Sequence, residues 1–312
     1  MLNNKIIIIA GPTAVGKTAV SIKLAKRIGT EIISADSMQV YRGMDIGTAK
    51  ITQKEMEGVK HHLIDVLSPF EDFNITIFKD MAENAVKNIH SAGKIPIITG
   101  GTGFYIQSLI YGINFEKKAS GSDDLRNKLD REYDLYGADY MHKKLAALDP
   151  ESSCLIHKNN KKRIIRALEY VMLTGEKISE HNRIQKENKP LYDFKYFVLN
   201  MDRNTLYKRI DIRVDKMISD GFVDEVRTLK EKGLTSNYIS MHGIGYRQLL
   251  DYLDGKYSFS EAIDLIKKDT RHFAKRQLTW FKHEKDVIWI DVLRYSDNKE
   301  ALIDHIMEYI DF

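Results

Sequence analysis

The chain has little cysteine, with only Cys154 among 312 residues. One thiol cannot build an internal disulfide framework or a cysteine-based metal site, and such usage fits a reducing compartment, so we expect the cytoplasm. Long apolar runs are also lacking, because the longest, residues 6–10, is far below the roughly 20 residues of a membrane span. No apolar signal peptide opens the sequence, and we therefore expect neither secretion nor membrane insertion.

Neither sign of charge dominates, since 48 basic and 44 acidic residues leave a net charge of +4. That balance alone does not indicate a polyanionic partner. The charge is nevertheless localised: residues 155–190 hold nine Lys or Arg against four Glu, and residues 267–285 hold seven against two acids. Such patches are expected where a protein contacts phosphate backbones, although a solvated helix face is the more common cause.

The order of the predicted elements indicates an α/β protein with a P-loop NTPase-like parallel sheet core. Residues 5–10 (KIIIIA) are a β-branched run without alternation, typical of a strand covered on both faces. Further strands at 31–35 and 94–99 alternate with helices at 17–28 and 74–90. This alternation favours parallel strands joined by helices.

A change of pattern after Gly112 predicts a mostly helical insertion domain. We assign residues 1–112 to the first part of the core, 113–193 to the insertion and 194–312 to a mostly helical second part of the core. The first basic window lies inside the insertion. Helices are predicted at 122–136, 138–148, 161–173, 204–218, 222–232, 246–253 and 261–281, and strands at 194–199 and 287–290.

A phosphate-binding loop follows the first strand directly and opens the first helix. Its residues are Gly11, Pro12, Thr13, Ala14, Val15, Gly16, Lys17 and Thr18. The glycines let backbone N–H groups point at phosphate oxygens, and the following helix presents its positive end. Lys17 adds a charge and the Thr18 hydroxyl suits Mg²⁺. The position between a buried strand and a helix makes a chance match improbable.

The acid that ordinary P-loop NTPases place after a second strand to help bind Mg²⁺ is missing from the third strand here. That strand ends in Gly100, Gly101 and Thr102. Asp36 follows the second strand instead, at the edge of the sheet where open α/β folds bind ligands. Taken without the loop, Asp36 is better explained as a helix or turn cap.

Seven segments occur in one order over nearly the whole chain. They are GPTAVGKT (11–18), ISADSMQVYRGMDIGTAK (33–50), GGTGFY (100–105), RALEY (166–170), RIDIR (209–213), GYRQL (245–249) and AKRQLTWF (274–281). Together they resemble the bacterial tRNA dimethylallyltransferase family. The related adenylate isopentenyltransferases share the loop but not usually this whole set.

The resemblance implies transfer of a dimethylallyl group from its diphosphate to N6 of adenosine 37, 3′ of the anticodon, in tRNAs that read codons beginning with U. A diphosphate leaving group needs the same backbone amides as ATP, with Lys17 and a Mg²⁺ ion near Thr18 stabilising the departing pyrophosphate. By its place in RIDIR, Arg213 resembles the arginine that reaches this diphosphate, and Arg209 is a weaker candidate.

The acceptor amine needs help, since its lone pair is delocalised into the adenine ring. We expect Asp36 to accept or orient the N6 proton. Thr102 resembles the family's second polar contact, although it also fits a helix N-cap. Ser37, Met38 and Gln39 adjoin Asp36 and are expected to meet the incoming nucleotide.

An anticodon-loop base must be flipped out to reach such a pocket, and a basic helical module is suited to hold the stem loop meanwhile. The segment HKNNKKR (157–163) stands where the family typically has HPNDPQR, so Lys162 replaces a glutamine expected to read a base, which puts tight selectivity there in doubt. The candidate contacts to the stem loop are Arg126, Lys158, Lys161, Lys162, Arg163 and Arg166, with Lys275 and Arg276 for phosphates near the active-site mouth.

Three alternatives remain open on the residues alone: a P-loop small-molecule kinase, an adenylate isopentenyltransferase, and a non-catalytic RNA-binding module. We expect a monomer. The adjacent His61 and His62 are rejected as a metal site, because neighbouring strand side chains face opposite sides. Trp280 and Phe281 fit core packing better than base stacking.

Overall fold

The computed structural model describes residues 4–113, 122–295 and 298–310. The chain divides into two compact units. We call Met1–Ile110 together with Leu191–Phe312 the core unit, and Tyr111–Pro190 the helical unit. The division falls within a few residues of the boundaries predicted for the insertion. Nothing in the described ranges is a helix both long and apolar enough to cross a membrane.

Six parallel strands form the sheet of the core unit, in the order β3-β2-β4-β1-β5-β6 over the described residues. They are β1 Lys5–Ala10, β2 Ile32–Ser34, β3 His61–His62, β4 Ile97–Gly100, β5 Asp193–Asn200 and β6 Val287–Asp291. The central strand β1 is buried on both faces, as its unbroken apolar run predicts. The predicted α/β fold with a parallel sheet is confirmed.

Twelve helices are found in the described residues. They are α1 Lys17–Ile28, α2 Ile75–Ser91, α3 Gly103–Ile110, α4 Ser122–Leu148, α5 Pro150–Leu155, α6 Lys161–Thr174, α7 Ile178–Lys186, α8 Arg203–Ser219, α9 Phe222–Glu231, α10 Tyr246–Leu253, α11 Phe259–Phe281 and α12 Lys299–Met307. Short 3₁₀ turns lie at Ile239–His242 and Val292–Tyr295.

Several elements differ from the sequence-based prediction. The strand expected at 94–99 begins only at Ile97, and the two-residue strand β3 was not predicted. Helix α3 was also missed, because its sequence GFYIQSLI is buried nearly all round and lacks an amphipathic period. The two helices predicted at 122–136 and 138–148 are confirmed, because α4 is interrupted between them at Gly137, where the backbone is not helical and φ is 80°.

The helical unit has its own apolar core between α4 and α6. Leu129, Met141 and Leu145 of α4 pack with Ile164 and Leu168 of α6, and all five are fully buried. Met141 and Leu145, and likewise Ile164 and Leu168, are four residues apart, which places each pair on one helix face.

One buried carboxylate, that of Asp149, caps two helices of the helical unit. Asp149 accepts hydrogen bonds from the backbone N–H and hydroxyl of Ser152, at 3.0 and 2.7 Å. It accepts the same pair from Ser179, also at 3.0 and 2.7 Å. A single side chain therefore satisfies the open N-termini of both α5 and α7. Burial raises the pKa of Asp149, but these hydrogen bonds outweigh burial and hold it below its ordinary value.

Candidate active site

The loop after β1 has the geometry of an anion-binding site. Gly11 has φ of 145°, and a Cβ there would lie 2.5 Å from the Leu199 carbonyl oxygen, so only glycine fits. Helix α1 then begins at Lys17, and its N-cap, Gly16, provides no side-chain hydrogen bond. The first backbone N–H groups of α1 are thus not capped by that residue, and they point along the positive end of the helix dipole.

Lys17 folds back over this loop. Its ammonium donates hydrogen bonds to the carbonyls of Gly11, at 3.0 Å, and Pro12, at 2.8 Å. Burial lowers the pKa of Lys17 to about 8, Asp36 acts in the opposite direction, and Arg213 lowers it further. The ammonium is therefore a poorly solvated cation whose charge an incoming anion would stabilise.

Asp36 follows β2 at the same edge of the sheet. Its Oδ1 accepts hydrogen bonds from the backbone N–H groups of Met38, at 2.8 Å, and Gln39, at 3.2 Å. In the part of the chain that the structure describes, Oδ2 accepts no hydrogen bond. The turn-cap role considered for Asp36 is therefore real, but it occupies only one carboxylate oxygen.

Arg213 of α8 completes the charged cluster. Burial lowers the pKa of its guanidinium, and the Asp36 carboxylate opposes that effect. Arg209, one turn earlier on α8, is exposed. The structure thus brings Lys17, Asp36 and Arg213 within electrostatic range of one another, although they are far apart in sequence.

The segment after β4 packs directly against the strand end that carries Asp36. A Cβ on Gly100 would lie 2.2 Å from the Ala35 carbonyl oxygen, so the two backbones touch. The N–H of Thr102 also approaches that carbonyl, at 3.4 Å. Thr102 precedes α3, and its carbonyl accepts from the N–H of Tyr105 at 2.9 Å. Thr102 therefore stands both at a helix start and next to the Asp36 turn.

Gln277 of α11 is a site residue that sequence reasoning missed. Its Oε1 accepts a hydrogen bond from the Thr13 N–H, and its Nε2 donates one to the Gly101 carbonyl, both at 2.9 Å. A signal was present, because Gln277 lies among the buried residues Ala274 and Phe281 at helical spacing. A polar side chain on the buried face of a helix needs a partner.

Glu225 of α9 was also missed, and it holds the loop that continues from Asp36. Its carboxylate accepts hydrogen bonds from the backbone N–H groups of Asp45, Ile46 and Gly47, at 2.8, 2.7 and 3.2 Å. The hydroxyl of Tyr246 donates to the same carboxylate at 2.6 Å. Sequence periodicity cannot predict such a contact, since it joins segments about 180 residues apart.

Met38 and Gln39 are tied into the same loop. The amide of Gln39 approaches the carbonyls of Thr48 and Ala49, at 3.3 and 3.4 Å. Met38 packs over Gly243, where a Cβ would lie 2.7 Å from its methyl group. Ser37 is half-buried between Asp36 and these residues.

Two predicted RNA-binding arginines of the helical unit share one acid. Arg126 and Arg166 reach Oε2 of Glu169 at 2.7 and 3.1 Å, while Glu169 itself is 1% exposed. Both arginine side chains nevertheless remain more than two-fifths exposed.

The predicted lysines of the helical unit differ in their partners. Lys158 pairs with Asp139 at 2.8 Å, and Lys161 pairs with Asp130 and Asp134 at 3.0 and 2.6 Å. Lys162 and Arg163 are exposed, and within the described residues their side chains form no ion pair.

On α11, Lys275 and Arg276 are exposed, whereas Phe281 is fully buried and Trp280 packs over Gly103. The packing interpretation of these two aromatic residues is confirmed. In β3, His62 contacts Glu31 at 2.7 Å, and His61 contacts the Val59 carbonyl at 2.9 Å.

Comparison with known proteins gives one consistent result. The IPP transferase family model matches residues 39–284. A tRNA dimethylallyltransferase of Lachnoclostridium phytofermentans is 52% identical over 96% of each chain. A crystal structure of full-length tRNA isopentenylpyrophosphate transferase from Bacillus halodurans is 42% identical, covers 98% of this chain and 96% of that one, and has a TM-score of 0.73.

A further crystal structure, of a eukaryotic dimethylallyltransferase acting on tRNA, is 29% identical, covers 98% of this chain and 80% of that one, and has a TM-score of 0.81. Family model and relatives together span nearly the whole chain and confirm the resemblance read from its motifs. The chain belongs to the IPP transferase family.

Proposed function

We propose that the protein transfers a dimethylallyl group from dimethylallyl diphosphate to N6 of adenosine 37 of tRNA, releasing pyrophosphate. The observation that carries this proposal is the convergence of Lys17, Asp36 and Arg213 at one edge of the sheet, in a chain of this family. Two cations and a helix N-terminus suit a diphosphate, and a carboxylate beside them suits the proton of an acceptor amine.

The loop and the two cations bind the leaving group. Backbone N–H groups at the start of α1 and the Lys17 ammonium stabilise negative charge that grows on the diphosphate oxygens as the allylic bond breaks. Arg213 adds a second, half-buried charge from α8. Because both cations are poorly solvated before binding, the anion replaces little hydration and gains strong electrostatic stabilisation.

Asp36 acts on the acceptor. The N6 lone pair forms a bond to the allylic carbon, the bond between that carbon and oxygen breaks, and its electron pair leaves with pyrophosphate. The N6 proton passes to Asp36 Oδ2, since Oδ1 is occupied by the N–H groups of Met38 and Gln39. Thr102, beside this turn, contacts the amine or its ring.

The residues at the loop also fit a magnesium ion. Thr18 stands in the first turn of α1 and is exposed, so its hydroxyl is available as one ligand. Mg²⁺ commonly takes few protein ligands and completes its shell with phosphate oxygens and water, which suits a site with a single hydroxyl. When bound, the ion neutralises diphosphate charge.

The helical unit contacts the anticodon stem loop through its basic surface. Lys162 and Arg163 offer unpaired charge for phosphates, and Arg126 and Arg166 offer guanidinium groups held by Glu169. The target adenosine is unstacked from its neighbours before it reaches Asp36, since a base inside a stacked loop cannot enter a pocket.

The test is a turnover assay with dimethylallyl diphosphate, Mg²⁺ and unmodified tRNA that carries A36 and A37. We expect N6-dimethylallyladenosine in the digested tRNA and one pyrophosphate per transfer. AMP and ATP are tested as alternative substrates in separate, parallel reactions. Prenylation of AMP with none of tRNA indicates an adenylate isopentenyltransferase, and ATP turnover without RNA indicates a kinase; either result overturns the proposal.

A further inference from the structure

Gln277 connects two loops that belong to neighbouring strands. Thr13 lies in the loop after β1, and Gly101 lies in the loop after β4, and these strands pair directly through Ala10 and Gly100. The side-chain amide of Gln277 accepts from the Thr13 N–H and donates to the Gly101 carbonyl, both at 2.9 Å. The amide oxygen thus accepts one hydrogen bond from the loop after β1, and the amide nitrogen donates one to the loop after β4.

The bridge is buried and closely packed. Gln277 is 6% exposed, and a Cβ on Gly101 would lie 2.1 Å from its Nε2. An unmade bond here would leave a buried polar group without a partner, which is unfavourable. The position of the Thr13 N–H, and with it the course of the loop before Lys17, is therefore fixed from α11.

The contacts continue from Gly101 to the acceptor side of the site. Thr102 approaches the Ala35 carbonyl through its N–H, at 3.4 Å, and the Ala35 N–H donates to the Thr99 carbonyl at 2.7 Å. Asp36 is the next residue in the chain. One amide side chain therefore links the loop that binds the diphosphate with the segment that supports Asp36 and Thr102.

We propose that Gln277 is a positioning residue which sets the diphosphate loop against the acceptor side of the site, so that the loop is ready to bind before any ligand arrives. It touches neither substrate and acts through Thr13 and Gly101. The inference rests on the proposed function only in taking the ligand of the loop to be a diphosphate. Preorganisation of this kind is expected to appear in ligand affinity more than in folding.

Gln277→Glu is the sharpest test, because a protonated carboxylic acid has the same donor and acceptor arrangement as the amide. When ionised, the new side chain has no donor and faces the Gly101 carbonyl with negative charge. We expect about tenfold weaker binding of inorganic pyrophosphate with Mg²⁺ at pH 8, and recovery toward wild type as the pH falls to about 5.5. Isothermal titration calorimetry measures the pyrophosphate affinities of the variant and of wild type at each pH, and the ratio of the two is compared.

Dividing the affinity of the variant by that of wild type at each pH cancels the protonation of pyrophosphate and of Lys17. Asp36 and the cationic side chains of α8 and α11 face the loop in both proteins and so do not change the ratio. Gln277→Met keeps the volume but loses both hydrogen bonds, so it should weaken binding about tenfold at every pH without recovery. It also serves if Gln277→Glu does not fold. The KM for dimethylallyl diphosphate should rise with the pyrophosphate dissociation constant in both variants, and tRNA affinity should stay within twofold.

Gln248→Glu is the matched control. Gln248 is also a buried glutamine of the core unit, 3% exposed, and it accepts from the Gly245 N–H and donates to Asp269. The same substitution there should lower thermal stability without a pH-dependent change in pyrophosphate affinity. Wild-type affinity in both Gln277 variants, or a loss in Gln277→Glu that does not recover in acid, overturns the inference. Failure of wild-type protein to prenylate tRNA while these affinities behave as expected overturns only the proposed function.

Discussion

Two cations at the candidate active site of the core unit and two lysines of the helical unit lie in opposite environments. In the core unit, Lys17 and Arg213 are poorly solvated, and burial lowers the pKa of each. In the helical unit, Lys158 and Lys161 lie at the surface beside acidic side chains, and the hydrogen bonds that they donate to Asp139 and Asp134 raise their pKa values. Lys17 and Arg213 therefore gain electrostatic stabilisation when an anion binds, whereas Lys158 and Lys161 already have carboxylate partners.

This difference matches two kinds of anion. A diphosphate is small and doubly or triply charged, so fixed cations and backbone N–H groups can be aligned for it in advance. An RNA backbone is long and variable. Surface cations can exchange their counterions or neighbouring carboxylates for its phosphates at a modest cost in free energy. The core unit is therefore expected to control turnover, and the helical unit to control which RNA is held and how tightly.

The largest effect should come from Asp36→Asn. The amide keeps an oxygen for the N–H groups of Met38 and Gln39 but removes the basic second oxygen. We expect kcat to fall about 10²- to 10⁴-fold, the usual contribution of a general base. Single-turnover assays with saturating tRNA and dimethylallyl diphosphate measure it.

The control for Asp36→Asn is tRNA affinity, measured by filter binding, which should change less than threefold. Wild-type turnover in this variant would remove Asp36 from the chemistry. A parallel loss of tRNA affinity would contradict the division of labour between the units.

Asp149→Ala should lower the free energy of unfolding of the helical unit. Asp149 caps two helices of the helical unit, and its loss should destabilise that unit by about 3 kcal/mol, from two caps and two hydroxyl hydrogen bonds. Asp202, which caps only α8 of the core unit and is exposed, is the matched control, and Asp202→Ala should cost much less stability than Asp149→Ala.

The pH dependence of Asp149 has a defined sign. Its pKa is held below the ordinary value in the folded state. Its contribution to stability is therefore complete above the pKa of the unfolded chain, about 3.9, and is lost as the pH falls below that value. Urea unfolding should show a difference between wild type and Asp149→Ala that is constant at pH 6–8 and shrinks below pH 4. A constant difference down to pH 3 would contradict the assignment.

The same comparison shows what sequence alone can reveal. The loop, Lys17, Asp36 and most elements of the sheet are readable, because local spacing fixes strand, turn and helix. Glu225 is not, since it forms its bonds with backbone N–H groups of a distant segment. Gln277 could be noticed as a polar residue on the buried face of a helix, but its partners, Thr13 and Gly101, could not be predicted. In the helical unit, charge was visible from sequence, but the pairing of Lys161 with Asp130 and Asp134 was not.

A moderate effect is expected from pH acting on Lys17. The free protein has a pKa of about 8 at this residue, and binding of an anion raises it. Below pH 8 the ammonium is already charged, whereas above it each binding event must take up a proton, so the affinity for pyrophosphate should fall by up to tenfold per pH unit. Lys17→Arg, which stays charged throughout, should lack this part of the slope in calorimetric titrations from pH 7 to 9.5. Equal slopes in the two proteins would contradict the lowered pKa.

The smallest effect should distinguish two adjacent lysines of α6. Lys162 forms no ion pair within the described residues, whereas Lys161 already pairs with Asp130 and Asp134 and must share its charge with them. Lys162→Ala should therefore weaken tRNA binding about three- to tenfold and lower the slope of log affinity against log salt by close to one. Lys161→Ala should change both quantities less, because an ammonium group held by two carboxylates is less available to contact a phosphate. Filter binding from 50 to 300 mM salt measures both variants, with kcat at saturating tRNA expected to stay at the wild-type value. If Lys161→Ala instead has the larger salt effect, the ion pairs of the helical unit open on binding, and its surface is organised by RNA rather than by its own acids.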